Sequence, residues 1–333
     1  MKLKYLGELA GIVVGIGASL NINSPFKLGD QLSARLVGSN NDLLYGRLSY
    51  QLPVGGAGWN AGAAYSHSQY QLGKEFEVLG ANGTSDVVSL FANYPLYLTQ
   101  TTTLLGSMTY DNKKFHDNMD SVFSKTEKRV QSLSVGLRGD HSDAIYGGGR
   151  TSFDMSLYAG YLKLDDISHQ QDAASAKSSG DFVKANYLFN RLQRIAGQNT
   201  LSVSLSGQLA ANNLNSSEKY SLGGSYGVRA YPQGEASGDA GSMLNVELTH
   251  QFMPKLHGIM FYDYGHIKIN QHNFSSGDNT RTIAGAGVGV NAWLHGLRVN
   301  GYLAWRTQGG VPLSEPASSD NTPRLWVQMS TEF

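Results

Sequence analysis

Cysteine is absent from the 333-residue chain, which removes thiol nucleophiles, thiolate-bound zinc and any disulfide framework. Net charge is absent as well. The 26 basic residues balance 26 acidic ones, so no overall field favours nucleic acid. No stretch reaches the ~20 apolar residues that a spanning helix needs. The longest, Leu9 to Leu20, is cut by Gly11, Gly15, Gly17 and Ser19. Lys2 and Lys4 ahead of it look like the front of a signal peptide, but Glu8 opens the run and no A-x-A site follows. The stretch reads instead as a first β-strand over residues 9–23. Charged residues make up only 16% of the chain, whereas glycine (40) and tyrosine (18) are abundant. That balance fits strands joined by tight turns and speaks against long helices or disorder.

What is present is period-2 alternation along nearly the whole length. Leu44, Gly46, Leu48, Tyr50 and Leu52 oppose Tyr45, Arg47, Ser49 and Gln51; Leu201, Val203 and Leu205 oppose Ser202, Ser204 and Ser206. Leu244, Val246 and Leu248 oppose Asn245, Glu247 and Thr249, and Leu325, Val327 and Met329 oppose Trp326, Gln328 and Ser330. Each such run has one apolar and one polar face. With weaker candidates (9–23, 31–39, 85–96, 102–111, 178–190, 219–224, 259–270 and 282–294) about sixteen strands are expected.

Strands of this kind build either a sandwich with a dry core or a membrane barrel with lipid outside and water inside. Many segments run ten or more residues, which matches the ~9–11 needed to cross a bilayer at a tilt and exceeds the ~5–6 of ordinary strands. Tyr50, Trp59, Tyr65, Trp293, Trp305 and Trp326 lie near strand ends, where an interfacial girdle would sit. Arg, Glu, Asp and Gln occupy polar faces that a dry core would not tolerate. The expected fold is therefore an all-β transmembrane antiparallel barrel spanning 1–333. Its tight turns (Val54–Gly58, Pro254–Gly258, His295–Gly296) alternate with long polar connections over 112–126, 271–281 and 310–323. The segment 165–178 breaks that rhythm and leaves the register around it open.

One stretch does not fit a strand or a turn. Lys219 to Asp239, KYSLGGSYGVRAYPQGEASGD, is long, rich in glycine (Gly223, Gly224 and Gly227 among others) and carries Arg229 and Tyr231 at its centre. Long patterned loops are usually either functional or disordered. Arg229 offers a planar fork suited to a carboxylate, and a loop ordered inside a lumen needs some charge-assisted contact to offset its lost entropy. In a water-filled lumen such a pair would contribute only ~1–3 kcal/mol. Spacing alone favours reading Arg229 as a solvated loop cation and Asp263 as one more polar lumen residue.

Sites of other chemistry are discounted. Gly223-Gly224-Ser225-Tyr226-Gly227 matches G-x-S-x-G, but no strand-to-helix elbow surrounds it. Gly285, Gly287 and Gly289 alternate with Ala286, Val288 and Val290, which suits small residues on a lumen face rather than a dinucleotide loop. The nine histidines lack paired-ligand spacing, and Asp117, Asn118 and Asp120 lack calcium-loop spacing. No catalytic residue, metal or cofactor is expected.

GASLNINSPFKLGDQLSARL (17–36), YGRLSYQLPVG (45–55), SSEKYSLGGSYGVRAYPQGEASGD (216–239), FYDYGHI (261–267) and the closing WVQMSTEF resemble the barrel of two-partner secretion translocators, the TpsB-type haemolysin activation/secretion proteins. The likeness covers nearly the whole chain from about Gly17. It implies a bacterial outer-membrane pore that exports a large partner exoprotein, an adhesin or cytolysin, without ATP. It also implies that the loop 219–240 folds into the pore, with Arg229 and Tyr231 on the loop and Asp263 on the wall as its lock. Ala230 stands where the superfamily usually has glycine, which favours export over barrel-insertase activity. A passive diffusion porin and an insertase of the same superfamily remain the alternatives.

Family members carry two periplasmic POTRA domains that recognise the exoprotein. Met1 stands almost on strand one, so a barrel without POTRA domains is expected, and partner binding is not implied for this chain alone. Phe333 resembles the terminal signal read by the barrel-assembly machinery, and outer-membrane lipid is the other implied partner. Phe261, Asp263 and Gly265 share a parity that continues through the apolar Ile267 and Ile269, so a bulge near Gly265 is expected to reset the phase.

Overall fold

In a computed structural model of the chain, residues 2–9, 14–39, 43–71, 81–119, 124–313 and 323–332 are described. Sixteen antiparallel strands close into one barrel. They are β1 (Lys2–Leu9), β2 (Val14–Asn23), β3 (Gln31–Ser39), β4 (Leu44–Val54), β5 (Trp59–Gln71), β6 (Ala81–Leu98), β7 (Thr102–Met119) and β8 (Ser124–Asp143). After these come β9 (Gly149–Leu164), β10 (Gly180–Arg194), β11 (Asn199–Ala210), β12 (Ala240–Met253), β13 (Leu256–Lys268), β14 (Thr280–Leu294), β15 (Leu297–Gln308) and β16 (Arg324–Glu332). Every strand pairs with its sequence neighbours, and β1 pairs with β16 to close the ring. Closure removes the sheet edge and satisfies the backbone within the wall, which a lipid surround demands.

The alternation sorts residues as a membrane barrel requires. Leu36, Leu48, Leu90, Val135, Leu157 and Met260 are exposed on the outside, while Ser66, Ser89, Ser132 and Asp263 are buried on the inside. Both faces of the wall are thus used, and among the described residues no second sheet covers the apolar one. Short turns at 55–58, 99–101, 144–148, 195–198, 254–255 and 295–296 gather at one end, with 165–179, 211–239 and 269–279 at the other. In outer-membrane barrels the short-turn end faces the periplasm.

The strand number agrees with the sequence reading, but two members differ. Lys2–Leu9, read as lying outside the first strand, is a strand of its own, paired on both sides. Lys2 and Lys4 therefore lie within a strand of the ring. Conversely, 219–224 is no part of the wall: only Tyr220 and Ser221 are extended, and they pair with Gly238 and Ser237 inside the loop itself.

The loop expected over 112–126 is also corrected. β7 and β8 run 18 and 20 residues, and their ladder continues through Lys113↔Val130 to Met119↔Ser124. Above the bilayer both faces of a hairpin are wet, so the ladder persists where the apolar alternation that betrays it fades. Residues 165–178 hold a helix, α1 (Asp166–Ala173), started by Asp165, whose carboxylate accepts from the Ser168 N–H at 2.9 Å. Trp326 is buried inside the barrel and Trp293 lines the lumen rather than the outer girdle, whereas Trp59, Tyr65 and Trp305 are exposed on the outside.

Candidate functional site

The connection from β11 to β12 does not stand off the rim; it turns back into the barrel. Its tip is held by its own backbone: Val228 N–H donates to the Leu222 carbonyl at 2.7 Å, Gly227 to Gly224 at 3.0 Å, Tyr231 to Val228 at 3.0 Å and Gly224 to Tyr231 at 3.1 Å. Gly223 N–H donates to the Glu235 carbonyl at 3.0 Å. Gly224 has φ +125, a conformation that only glycine adopts without strain. These bonds tie the tip into a compact knot with Arg229 projecting from it.

Arg229 meets the wall halfway along β12 and β13. Its Nε donates to Asp263 Oδ2 at 2.8 Å, its Nη2 to Asp263 Oδ1 at 2.7 Å, and its backbone N–H to Oδ2 at 3.1 Å. Its remaining nitrogen, Nη1, pairs with Glu247 on β12. Asn245 Nδ2 fastens the same carboxylate to the loop, donating to Asp263 Oδ1 at 2.8 Å and to the Gly227 carbonyl at 3.1 Å. Trp326 Nε1 donates to the Arg229 carbonyl at 2.7 Å. The guanidinium lies 3.5 Å above the Phe261 ring, with Tyr302 5.2 Å away.

Arg229 is 4% exposed and Asp263 0%, so the pair is drier than a water-filled lumen would make it. Removing one partner of such a buried, hydrogen-bonded pair strands the other and costs ~3–5 kcal/mol, more than the weak contact expected from sequence.

Around this polar point the seat is apolar. Leu222, Val228, Ala230 and Tyr231 from the loop pack with Met243, Ile259, Phe261, Ile267, Ile283 and Ala304 from the wall. The bulge expected near Gly265 does not exist: β13 keeps one register from Leu256 to Lys268 against β14. Ile267 faces inward because the loop covers it. Gly285 marks the closest approach, since a Cβ there would lie 2.4 Å from the Ala230 methyl. The alanine at 230 is accommodated by the glycine opposite. Tyr231, fully buried, places its hydroxyl 2.7 Å from the Gln308 carbonyl and 2.9 Å from that of Gly310.

A second anchor lies across the lumen. Glu218, 4% exposed, accepts from Lys113 of β7 at 2.6 Å and pairs with Lys184 of β10 at 2.9 Å. Burial opposes its ionisation, yet the two ammonium groups hold its carboxyl below the usual range. Charge signs are reversed between the anchors: the loop brings a cation to carboxylates at one and a carboxylate to cations at the other. The neck of the loop is tied to the rim. Lys219 reaches Asp239 at 3.0 Å and the Ile269 carbonyl at 2.6 Å, while Asn213 bridges the Ala176 carbonyl at 2.7 Å and the His272 N–H at 2.7 Å.

Of the residues singled out in the sequence, Arg229, Tyr231, Asp263, Gly223, Gly224 and Gly227 meet at one place. Phe333 lies outside the described residues. Glu247, Asn245, Phe261, Trp326 and Glu218 were not anticipated. Asn245 and Glu247 carried a signal, being polar at inward parity on a strand paired with the one bearing Asp263. Trp326 was misread as a girdle residue because position along a strand does not tell which face a ring takes.

The fold and the loop define an outer-membrane β-barrel whose lumen is occupied by its own chain. The family of haemolysin secretion/activation proteins ShlB/FhaC/HecB matches residues 13–292, and the chain belongs to it. It is 25% identical over 340 aligned residues to the heme/hemopexin transporter protein HuxB of Haemophilus influenzae, covering 99% of this chain and 58% of HuxB. It is 26% identical to the outer membrane transporter CdiB of Dickeya dadantii, over 95% of this chain and 55% of that protein. The solved structure of CdiB from Escherichia coli superposes with a TM-score of 0.76 at 17% identity, covering all of this chain and 62% of that one. The chain thus spans less than two thirds of the length of each of these relatives.

Proposed function

We propose that this barrel is the membrane pore of a two-partner secretion system, exporting an unfolded partner exoprotein across the outer membrane without nucleotide, and that the 219–240 loop is its gate. The observation that carries this reading is the clamp on Arg229, shared among Asp263, Glu247 and the Trp326 indole. A loop held in the bore through a cation buried against two carboxylates restricts free diffusion, which favours a gated pore over a passive one. The loop occupies the lumen beside a cavity of about 970 Å³ lined by Ser19, Arg35, Arg298 and Tyr226 among others, and a gate so placed would have to move for cargo to pass. HuxB and CdiB are named as transporters, which supports an exported protein as cargo. Energy would come from the cargo folding outside.

The test joins two measurements on Arg229→Ala: single-channel conductance in planar bilayers, and export of the cognate exoprotein from cells that carry the full-length secretion protein. The gate reading expects frequent large openings and loss of export. Unchanged export with normal barrel assembly would refute it, and conductance that is high and steady in the unaltered protein would favour a diffusion pore.

A further inference from the structure

On the outward face of β7, β8 and β9 three cations stand in a row. Lys114 lies directly opposite Arg129, and Arg129 directly opposite Lys163; all three are exposed. Like charges facing one another across a ladder repel, so such a row calls for an anion from elsewhere. Among the described residues none of the three forms an ion pair, and Arg129 Nε donates only to the neutral Asn112 Oδ1 at 2.9 Å. The nearby carboxylates are engaged with other groups. Asp86, opposite Lys114, accepts from the Tyr65 hydroxyl at 2.5 Å and lies 2.9 Å from His67 Nδ1. Asp165 accepts from Ser168 N–H and Oγ and from Glu127 N–H. Glu127 sits 3.8 Å from His116 Nε2.

Height along the wall says what meets this row. One step below it are Asn112, Gln131 and Tyr161; the next two steps bring Tyr110, Leu133 and Ala159, then Met108, Val135 and Leu157. Most of these lower residues are exposed and apolar, and each step is ~6.8 Å along the strand. The cations therefore stand just above the lipid-facing belt, at the end where the 211–239 loop emerges, which is the outer leaflet. A hollow of about 330 Å³ is lined by Lys114, His116, Arg129 and Lys163, and also by Glu127 and Asp165.

We propose that Lys114, Arg129 and Lys163 bind a phosphate of the outer-leaflet lipopolysaccharide, a phosphorylated glucosamine glycolipid, while its acyl chains lie on the Met108–Val135–Leu157 rows. Arginine and lysine together supply a fork and point charges suited to a phosphate monoester. The site depends on residence in the outer membrane and not on secretion activity.

Native mass spectrometry of the full chain tests this with three probes: lipopolysaccharide, the same glycolipid stripped of its phosphates, and inorganic phosphate as competitor. The unaltered barrel should retain lipopolysaccharide, and retention should fall about tenfold or more in the K114Q/R129Q/K163Q variant. The dephosphorylated glycolipid should bind as weakly to the unaltered protein as lipopolysaccharide does to the variant, an arm that needs no substitution. K114R/K163R should bind normally, and heat-modifiable gel migration checks that each variant is folded. Equal retention by the folded triple variant, or equal binding of the dephosphorylated glycolipid, overturns the proposal. Complete displacement by inorganic phosphate would make this a free-anion site, overturning the lipid assignment.

Discussion

The barrel has two inner walls built by one alternation rule. Along β12 to β16 the inward positions include Glu247, Phe261, Asp263, Ile267, Gly285 and Trp326, and the loop covers them. Along β2 and β3 they include Ser19 and Arg35, which line the open cavity, and Arg47 of β4 stands beside Arg35 in the ladder. Arg35 stands directly opposite Arg47, a pairing that water and salt tolerate and a dry interface would not. Apolar residues at inward parity therefore mark a docking seat rather than a phase error. The same parity carries solvent chemistry on one side and packing chemistry on the other.

The contrast is open to direct attack. Asp263→Ala removes the partner of a buried guanidinium and should weaken loop docking by ~3–5 kcal/mol. Conductance should rise to that of an open pore, and the loop should become cleavable by external protease. A loop that stays protected would show that the apolar seat alone retains it. Gly285→Val drives a branched side chain into Ala230 and should cost ~1–3 kcal/mol of docking with no loss of barrel formation, again read by protease access. Adding Ala230→Gly should recover part of it, because the added volume is then accommodated.

Glu218→Gln tests the far anchor. Its carboxyl is held below the usual range, so the stabilisation is complete above the unfolded carboxylate pKa and is lost as pH falls through the lower folded value. At neutral pH the substitution should increase channel flicker. At strongly acidic pH the unaltered protein should come to resemble the variant, and a difference that persists there would detach the effect from this ionisation.

The smallest structural effect is expected on the wet wall. Arg35→Ser with Arg47→Ser should leave thermal stability within ~0.5 kcal/mol while shifting reversal potentials away from anion preference. A large loss of stability would mean that this wall is packed after all.

Much of this was legible in the chain. Period-2 runs of ten or more residues pointed to the barrel, and the Gly-rich 219–239 stretch, with Arg229 and Tyr231, stood out because it fitted neither strand nor turn. Other parts were hidden for identifiable reasons. β1 escaped notice because the apolar run that suggested a first strand begins only at Leu9. The tall β7–β8 hairpin looked like a loop because both its faces are wet. Glu218 and Trp326 gave no local sign of a role, since their partners lie 105 and 97 residues away in sequence.

Local order along the chain settles which face of each strand is greasy, because side chains alternate whatever the strand pairs with. It also settles that a closed wall is the only way to satisfy such strands in lipid. Only the closed tertiary structure decides which inward residues are wet and which are buried. That depends on where the loop comes to rest, and its resting place is set by contacts between strands far apart in sequence that the ring brings face to face.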